Sequence, residues 1–203
     1  MLLVFSVILA KAQKMEEAFI KMPEDIIIQL EEAWRKDLVD LFKSGKTATL
    51  ENTMQGRSTL QKLTDDYLLL QSTENSTVEL KFLPLINNTN IICMIETVFG
   101  PVADSRISFY STEWTLINSG EIFVPIVEGW FLKDDVDHLS PEFEDAVAKL
   151  DMYLLKYSLC EESTNLIAEY TTPQYLDDEF RKKVLPFLKT GVKTYEWKSG
   201  RFE

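Results

Sequence analysis

In Thr77-Val78-Glu79-Leu80-Lys81-Phe82-Leu83 the side chains from Val78 to Phe82 alternate apolar and charged. A period of two places Val78, Leu80 and Phe82 on one face of a strand and Glu79 and Lys81 on the other. Its neighbours repeat the theme. Upstream, residues 59–63 and 66–70 are short strand candidates. Downstream, the Asn87-Asn88-Thr89-Asn90 turn leads into a strand from Ile91 to Val98, which Gly100-Pro101 breaks. Arg106-Ile107-Ser108-Phe109-Tyr110 alternates again, and Ile122-Phe123-Val124 closes the series. Strands joined by short turns predict an antiparallel meander.

Helical patterns flank it. Met22-Pro23-Glu24-Asp25 has the Pro and acids of a helix start. Ile27, Leu30, Trp34, Leu38, Leu41 and Phe42 then share one face, and Gly45 follows as the stop. That face has the spacing of a helix laid on Val78, Leu80 and Phe82, with Trp34 as a core anchor. Ser140-Pro141-Glu142 opens a second helix, with Phe143, Ala146, Val147, Leu150, Leu154 and Tyr157 as its apolar face. A strand at 166–170, a shorter helix at 177–185 and a final strand and turn at 194–202 complete the chain. The fold class expected is α+β: an antiparallel β-sheet meander packed by an N-terminal helix and two C-terminal helices. No Gly-, Ser- or Pro-rich linker interrupts residues 13–203, which are expected to form a single domain.

Residues 2–10 are an apolar run followed by Lys11, with Ala10 and Ala12 spaced as a signal-peptidase site. The run is far short of the roughly 20 residues that cross a bilayer. Residues 1–12 are therefore expected to be a signal peptide, cut between Ala12 and Gln13. Met1 leads straight into Leu2 with no basic region before it, so this signal is expected to be truncated at its start. The mature protein is expected to be soluble, in the periplasm or secreted. In such a compartment Cys93 and Cys160 either pair or stay as separate thiols, and the sequence leaves that open.

The 203 residues carry 21 Lys and Arg against 33 Asp and Glu, a net charge of -12. A surface that acidic repels phosphate backbones, so nucleic acid is excluded as the expected partner. Ser44-Gly45-Lys46-Thr47 resembles the end of a phosphate loop, but position 40 is Asp where Gly is needed, and the segment ends a helix. It reads as a helix cap. The densest polar group is Lys133-Asp134-Asp135-Val136-Asp137-His138. Asp134, Asp135, Asp137 and His138 are the candidate metal ligands. They lack the Gly and the closing Glu of a calcium loop, so a solvated acidic loop before a helix start is the competing reading. His138 is the sole histidine, and no Gly-x-Ser-x-Gly elbow accompanies it. No catalytic set and no cofactor motif is recognisable. Trp114, Trp130 and Trp197, with Phe109, Tyr110 and Phe131 nearby, are the candidate ligand-binding aromatics, competing with a simple core role.

Several stretches carry a family likeness: Met22-Pro23-Glu24, Leu63-Thr64-Asp65-Asp66-Tyr67-Leu68, Lys81-Phe82-Leu83-Pro84, Asp104-Ser105-Arg106-Ile107-Ser108-Phe109-Tyr110, Tyr170-Thr171-Thr172-Pro173 and Tyr195-Glu196-Trp197-Lys198-Ser199-Gly200-Arg201-Phe202. Through these the chain resembles a family of uncharacterised exported proteins from gut Bacteroidales, a domain of unknown function. The resemblance implies a signal-bearing periplasmic or secreted protein and carries over no site residues. The function expected is a binding or interaction module for an envelope protein or a glycan. The alternative is a small hydrolase acting through two carboxylates on envelope or dietary polymers.

Overall fold

In the computed structural model the described residues are 13–203, so the expected signal segment 1–12 lies outside them. Two helices come first, α1 (Met15–Ile20) and α2 (Glu32–Lys43). The meander follows as β1 (Thr49–Glu51), β2 (Arg57–Leu63), β3 (Tyr67–Thr73), β4 (Ser76–Pro84), β5 (Asn90–Phe99), β6 (Ala103–Ser111) and β7 (Leu116–Ile117). These pair in chain order into one seven-stranded antiparallel sheet. Its centre is β4 against β5, in unbroken register from Ser76 opposite Val98 to Pro84 opposite Asn90. The remaining chain gives α3 (Pro141–Val147), β8 (Leu155–Leu159), β9 (Leu166–Tyr170), α4 (Thr172–Tyr175), α5 (Asp178–Val184) and β10 (Lys193–Tyr195). It closes on the hairpin of β11 (Trp197–Lys198) and β12 (Arg201–Phe202). The fold is α+β, as the alternation predicts.

One face of the large sheet is covered by the N-terminal helices. Val78, Leu80 and Phe82 meet Leu38, Val39 and Phe19 in one apolar cluster, with Trp34 packed against it and only partly buried. The helix expected to open at Met22-Pro23 opens instead at Glu32, behind a run of turns. The cause is Arg35, only 1% exposed. Its guanidinium donates to the carbonyls of Ile20, at the end of α1, and of Met22 and Leu30 in the turns that follow. Gly45 ends α2 with a φ of +71°, the left-handed conformation that glycine adopts without cost.

The opposite face is covered by a second sheet, ordered β10-β9-β8. Two expectations are corrected here. The helix beginning at Ser140 and Pro141 stops at Val147, and Tyr157 belongs to a strand. Leu155, Tyr157 and Leu159 alternate inward along β8, and the partner β9 decides for the two-residue period. Ile122-Phe123-Val124 forms no strand. Phe123 is nonetheless 3% exposed, edge-on to Tyr157, Tyr195 and Phe202.

β8 crosses the large sheet rather than running along it. Its outward N–H groups meet side chains of β6 and β4: Leu155 to Asp104 Oδ1 at 3.2 Å, Tyr157 to Ser105 Oγ at 3.0 Å, Leu159 to Glu79 Oε2 at 2.9 Å. An edge that would otherwise bury unpaired donors is thereby satisfied. Beyond the small sheet, α3 and α5 pack on each other through Ala146, Leu150, Val184 and Leu188.

Candidate functional site

The chain between β7 and α3 touches the chain between α5 and β10 through a short ladder. Lys189 N–H donates to Phe131 O at 2.7 Å, Lys133 N–H to Phe187 O at 2.9 Å, and Leu132 bridges Leu188. This zipper holds a helical turn, Glu128–Phe131, so that its aromatics form a chain. Trp130 stands at 84° to Phe131 with centroids 4.9 Å apart, and Phe131 stacks on Tyr170 at 4.8 Å. Phe131 is 1% exposed and anchors the row, leaving Trp130 half-buried at its outer end.

Two cavities meet at Lys189 and Thr190. One, of about 490 Å³, is walled by Trp130, Lys133, Asp134, Asp135, Lys189 and Thr190. The other, of about 360 Å³, has Phe131 and Tyr170 in its floor and Glu169, Gln174 and Arg181 on its walls. Both volumes fall in the roughly 300–1,000 Å³ range of small-ligand sites. Lys189 is central: its Nζ lies 5.3 Å from the Trp130 ring centroid and 3.1 Å from Asp134 Oδ2. Gln174 Nε2 donates to Glu169 Oε1 at 3.1 Å, and Lys133 Nζ to Pro186 O at 2.7 Å. The polar walls thus balance Lys133, Arg181 and Lys189 against Asp134, Asp135 and Glu169.

The candidates from sequence divide between this groove and elsewhere. Trp130, Asp134 and Asp135 line it together. Asp137 is used locally, its Oδ1 accepting from Leu139 N–H at 2.9 Å. His138 stacks on Phe143 with centroids 4.6 Å apart, and its Nε2 lies 2.8 Å from Lys133 O. Among the described residues, no group of three or more His, Cys, Asp or Glu side chains is disposed to hold a metal ion. Trp114 is 7% exposed in the core under α1, donating from Nε1 to Ala18 O at 3.0 Å. Trp197 packs on Phe202 and donates to Pro84 O at 2.8 Å. Tyr170, Arg181 and Lys189 were invisible as site residues in the sequence. Nothing in their spacing sets them apart, because the zipper that assembles them joins segments more than fifty residues apart.

A second polar cluster lies beneath β8, with Tyr67, Glu79 and Lys81 buried and the Asp66 carboxylate at its exposed rim. Tyr67 OH donates to Glu79 Oε2 at 3.1 Å, and Lys81 Nζ reaches Asp66 Oδ2 at 2.9 Å and Glu161 O at 2.7 Å. Burial pushes the Tyr67 phenol and the Glu79 carboxyl up from their ordinary ranges, with the Glu79 charge adding to the rise at Tyr67. Cys93, beside it, is a buried free thiol that burial pushes well up. Cys160 is also a free thiol, drawn down by a hydrogen bond from Ser163.

Residues 7–202 match the family model described as Protein of unknown function (DUF3256). The chain belongs to this family. Among solved structures, the DUF3256 chain is similar to one titled a domain of an uncharacterized protein from Porphyromonas gingivalis W83. The two share 29% sequence identity with a TM-score of 0.85, over 95% of this chain and 99% of that one. The Bacteroidales likeness carried by the sequence is thus met by a family and by a fold. No curated protein matches the DUF3256 chain. Among the described residues, no helix of it is long and apolar enough to cross a membrane.

Proposed function

We propose that this protein is an exported binding module, acting in the periplasm or after secretion as a single domain, and that it holds its ligand in the groove between Trp130 and Lys189. The observation that carries the reading is the pair of abutting cavities with an aromatic row as floor and charged side chains of both signs as walls. A site of that make-up orients a ligand by hydrogen bonds and holds it by apolar contact. Support against the hydrolase reading comes from Glu79. It is a carboxyl that burial has raised toward use as an acid, and it sits sealed under β8, away from the groove.

The test has two parts. Intact mass of the protein recovered from cell fractions should show an N-terminus at or near Gln13 in the periplasm or medium. A cytoplasmic form that retains residues 2–10 would contradict export. The purified protein, immobilised, should then retain a component of its own envelope extract that a Trp130→Ala variant of equal melting temperature releases. Equal retention by both proteins would contradict the groove.

A further inference from the structure

We infer that the groove takes a neutral oligosaccharide, a conclusion that rests on the proposal that the groove is the ligand site. Three features select this chemistry. First, the polar walls carry three cations and three carboxylates, Lys133, Arg181 and Lys189 against Asp134, Asp135 and Glu169, so no net charge calls for a charged ligand. Second, the walls offer donors and acceptors side by side. Gln174 next to Glu169, and Lys189 next to Asp134, place a donor and an acceptor about 3.1 Å apart. Vicinal hydroxyls of a sugar ring, each both donor and acceptor, match that pairing. Third, Trp130 offers an aromatic surface at the groove's outer end, held by Phe131 at right angles behind it. The C–H face of a pyranose packs on such a ring, an amphipathic contact suited to a side chain with a polar handle.

The two cavities abut at Lys189 and Thr190 and together exceed what one ring needs, so the ligand spans more than one residue of a chain. Lys189 sits where the sugars in the two cavities would join. Its ammonium, beside the Trp130 face and paired with Asp134, has three N–H donors, so it can add a bond to a glycosidic or ring oxygen while keeping Asp134. Thr190, exposed beside it, adds a hydroxyl.

The experiment is a titration of the purified protein with neutral tetrasaccharides (β-1,4-glucan, α-1,4-glucan and β-1,4-xylan), with tetragalacturonate as the charged comparison and tetra-alanine as the peptide. Binding is read by calorimetry and by backbone amide shifts. At least one neutral tetrasaccharide should shift the amides of Trp130, Lys189 and Thr190. Trp130→Ala should weaken its binding by about tenfold or more, and Trp197→Phe should leave it unchanged. Shifts at those amides from tetragalacturonate or tetra-alanine, with none from the neutral sugars, would overturn the assignment of a neutral oligosaccharide while leaving the groove as the ligand site. Sugar binding that shifts amides only elsewhere would overturn both.

Discussion

Glu79, in the middle of β4, accepts the backbone N–H of Leu159 at 2.9 Å on the same oxygen that receives the Tyr67 hydroxyl at 3.1 Å. A carboxylate at the centre of one sheet thus terminates the edge of another. The two sheets are held together by apolar contact and also by a side chain that reaches across and closes an open ladder. That arrangement explains why a residue expected on a charged strand face is only 8% exposed.

Removing the acceptor should therefore cost more than removing a surface charge. Glu79→Leu leaves two donors unpaired in an apolar setting, at about 1–3 kcal/mol each, so a loss of about 2–6 kcal/mol is expected in urea denaturation. Glu79→Gln keeps an acceptor oxygen and should lose much less.

The same residue sets a pH dependence with a defined sign. Burial holds the Glu79 carboxyl above its ordinary range, while Lys62, Lys156 and the Leu159 and Tyr67 hydrogen bonds pull it back in part. The folded state therefore favours the protonated form relative to the unfolded chain. Its contribution is complete below the ordinary carboxylate range, near 4.3 for free glutamate, and is lost as pH rises through the raised folded value. Glu79→Gln removes this loss. Denaturation midpoints taken from about pH 4 upward should show the Gln variant gaining on the native protein as pH rises. A difference that stays constant or reverses would contradict the assignment.

Arg35 makes a separate prediction for the N-terminal layer. Its guanidinium serves the carbonyls of Ile20, Met22 and Leu30 at once. Arg35→Met should cost about 3–5 kcal/mol, because three buried acceptors lose their donor. Arg35→Lys should recover only part of this, since an ammonium is a point charge without the planar fork. Both can be read from chemical denaturation, and equal stability of the two variants would contradict the account.

The tryptophans should separate by role. Trp114→Ala, deep under α1, should cost about 3–5 kcal/mol, and Trp114→Phe about 1 kcal/mol for the lost bond to Ala18. Trp34, packed on the rim of the same core and partly exposed, should cost only about 1–2 kcal/mol on truncation to Ala.

The acidic loop should not couple metal to folding. Asp134 is paired with Lys189, Asp137 closes a turn on Leu139, and His138 lies flat on Phe143. Replacing calcium or zinc with EDTA should leave the melting temperature unchanged, and a rise of several degrees on adding either metal would contradict this.

The sheet was legible because its signals are local. The alternation at 77–83 and the Asn87-Asn88-Thr89-Asn90 turn each act within one hairpin, and β4 and β5 pair as they indicate. The same holds for Ser140, whose hydroxyl accepts from Phe143 N–H at 3.3 Å with Pro141 at the first helical position. Where the reading failed, a distant partner had decided the matter. Leu154 and Tyr157 fit a helical period as well as Leu155 and Tyr157 fit a strand, and only the presence of β9 chooses between them. Nothing in the sequence marks Arg35, yet its buried guanidinium gathers the carbonyls of Ile20, Met22 and Leu30 just before that helix. The groove was half visible: Trp130, Asp134 and Asp135 are close in sequence, while Tyr170, Arg181 and Lys189 join them only through tertiary pairing.

If the groove is the ligand site, the partner is met there and not on the helical face. A photo-reactive amino acid placed at exposed Thr190, and separately at exposed Lys36 on α2, tests it in living cells. Position 190 should give a covalent adduct, visible as a shift in intact mass, and position 36 none. An adduct from position 36 with none from position 190 would contradict it.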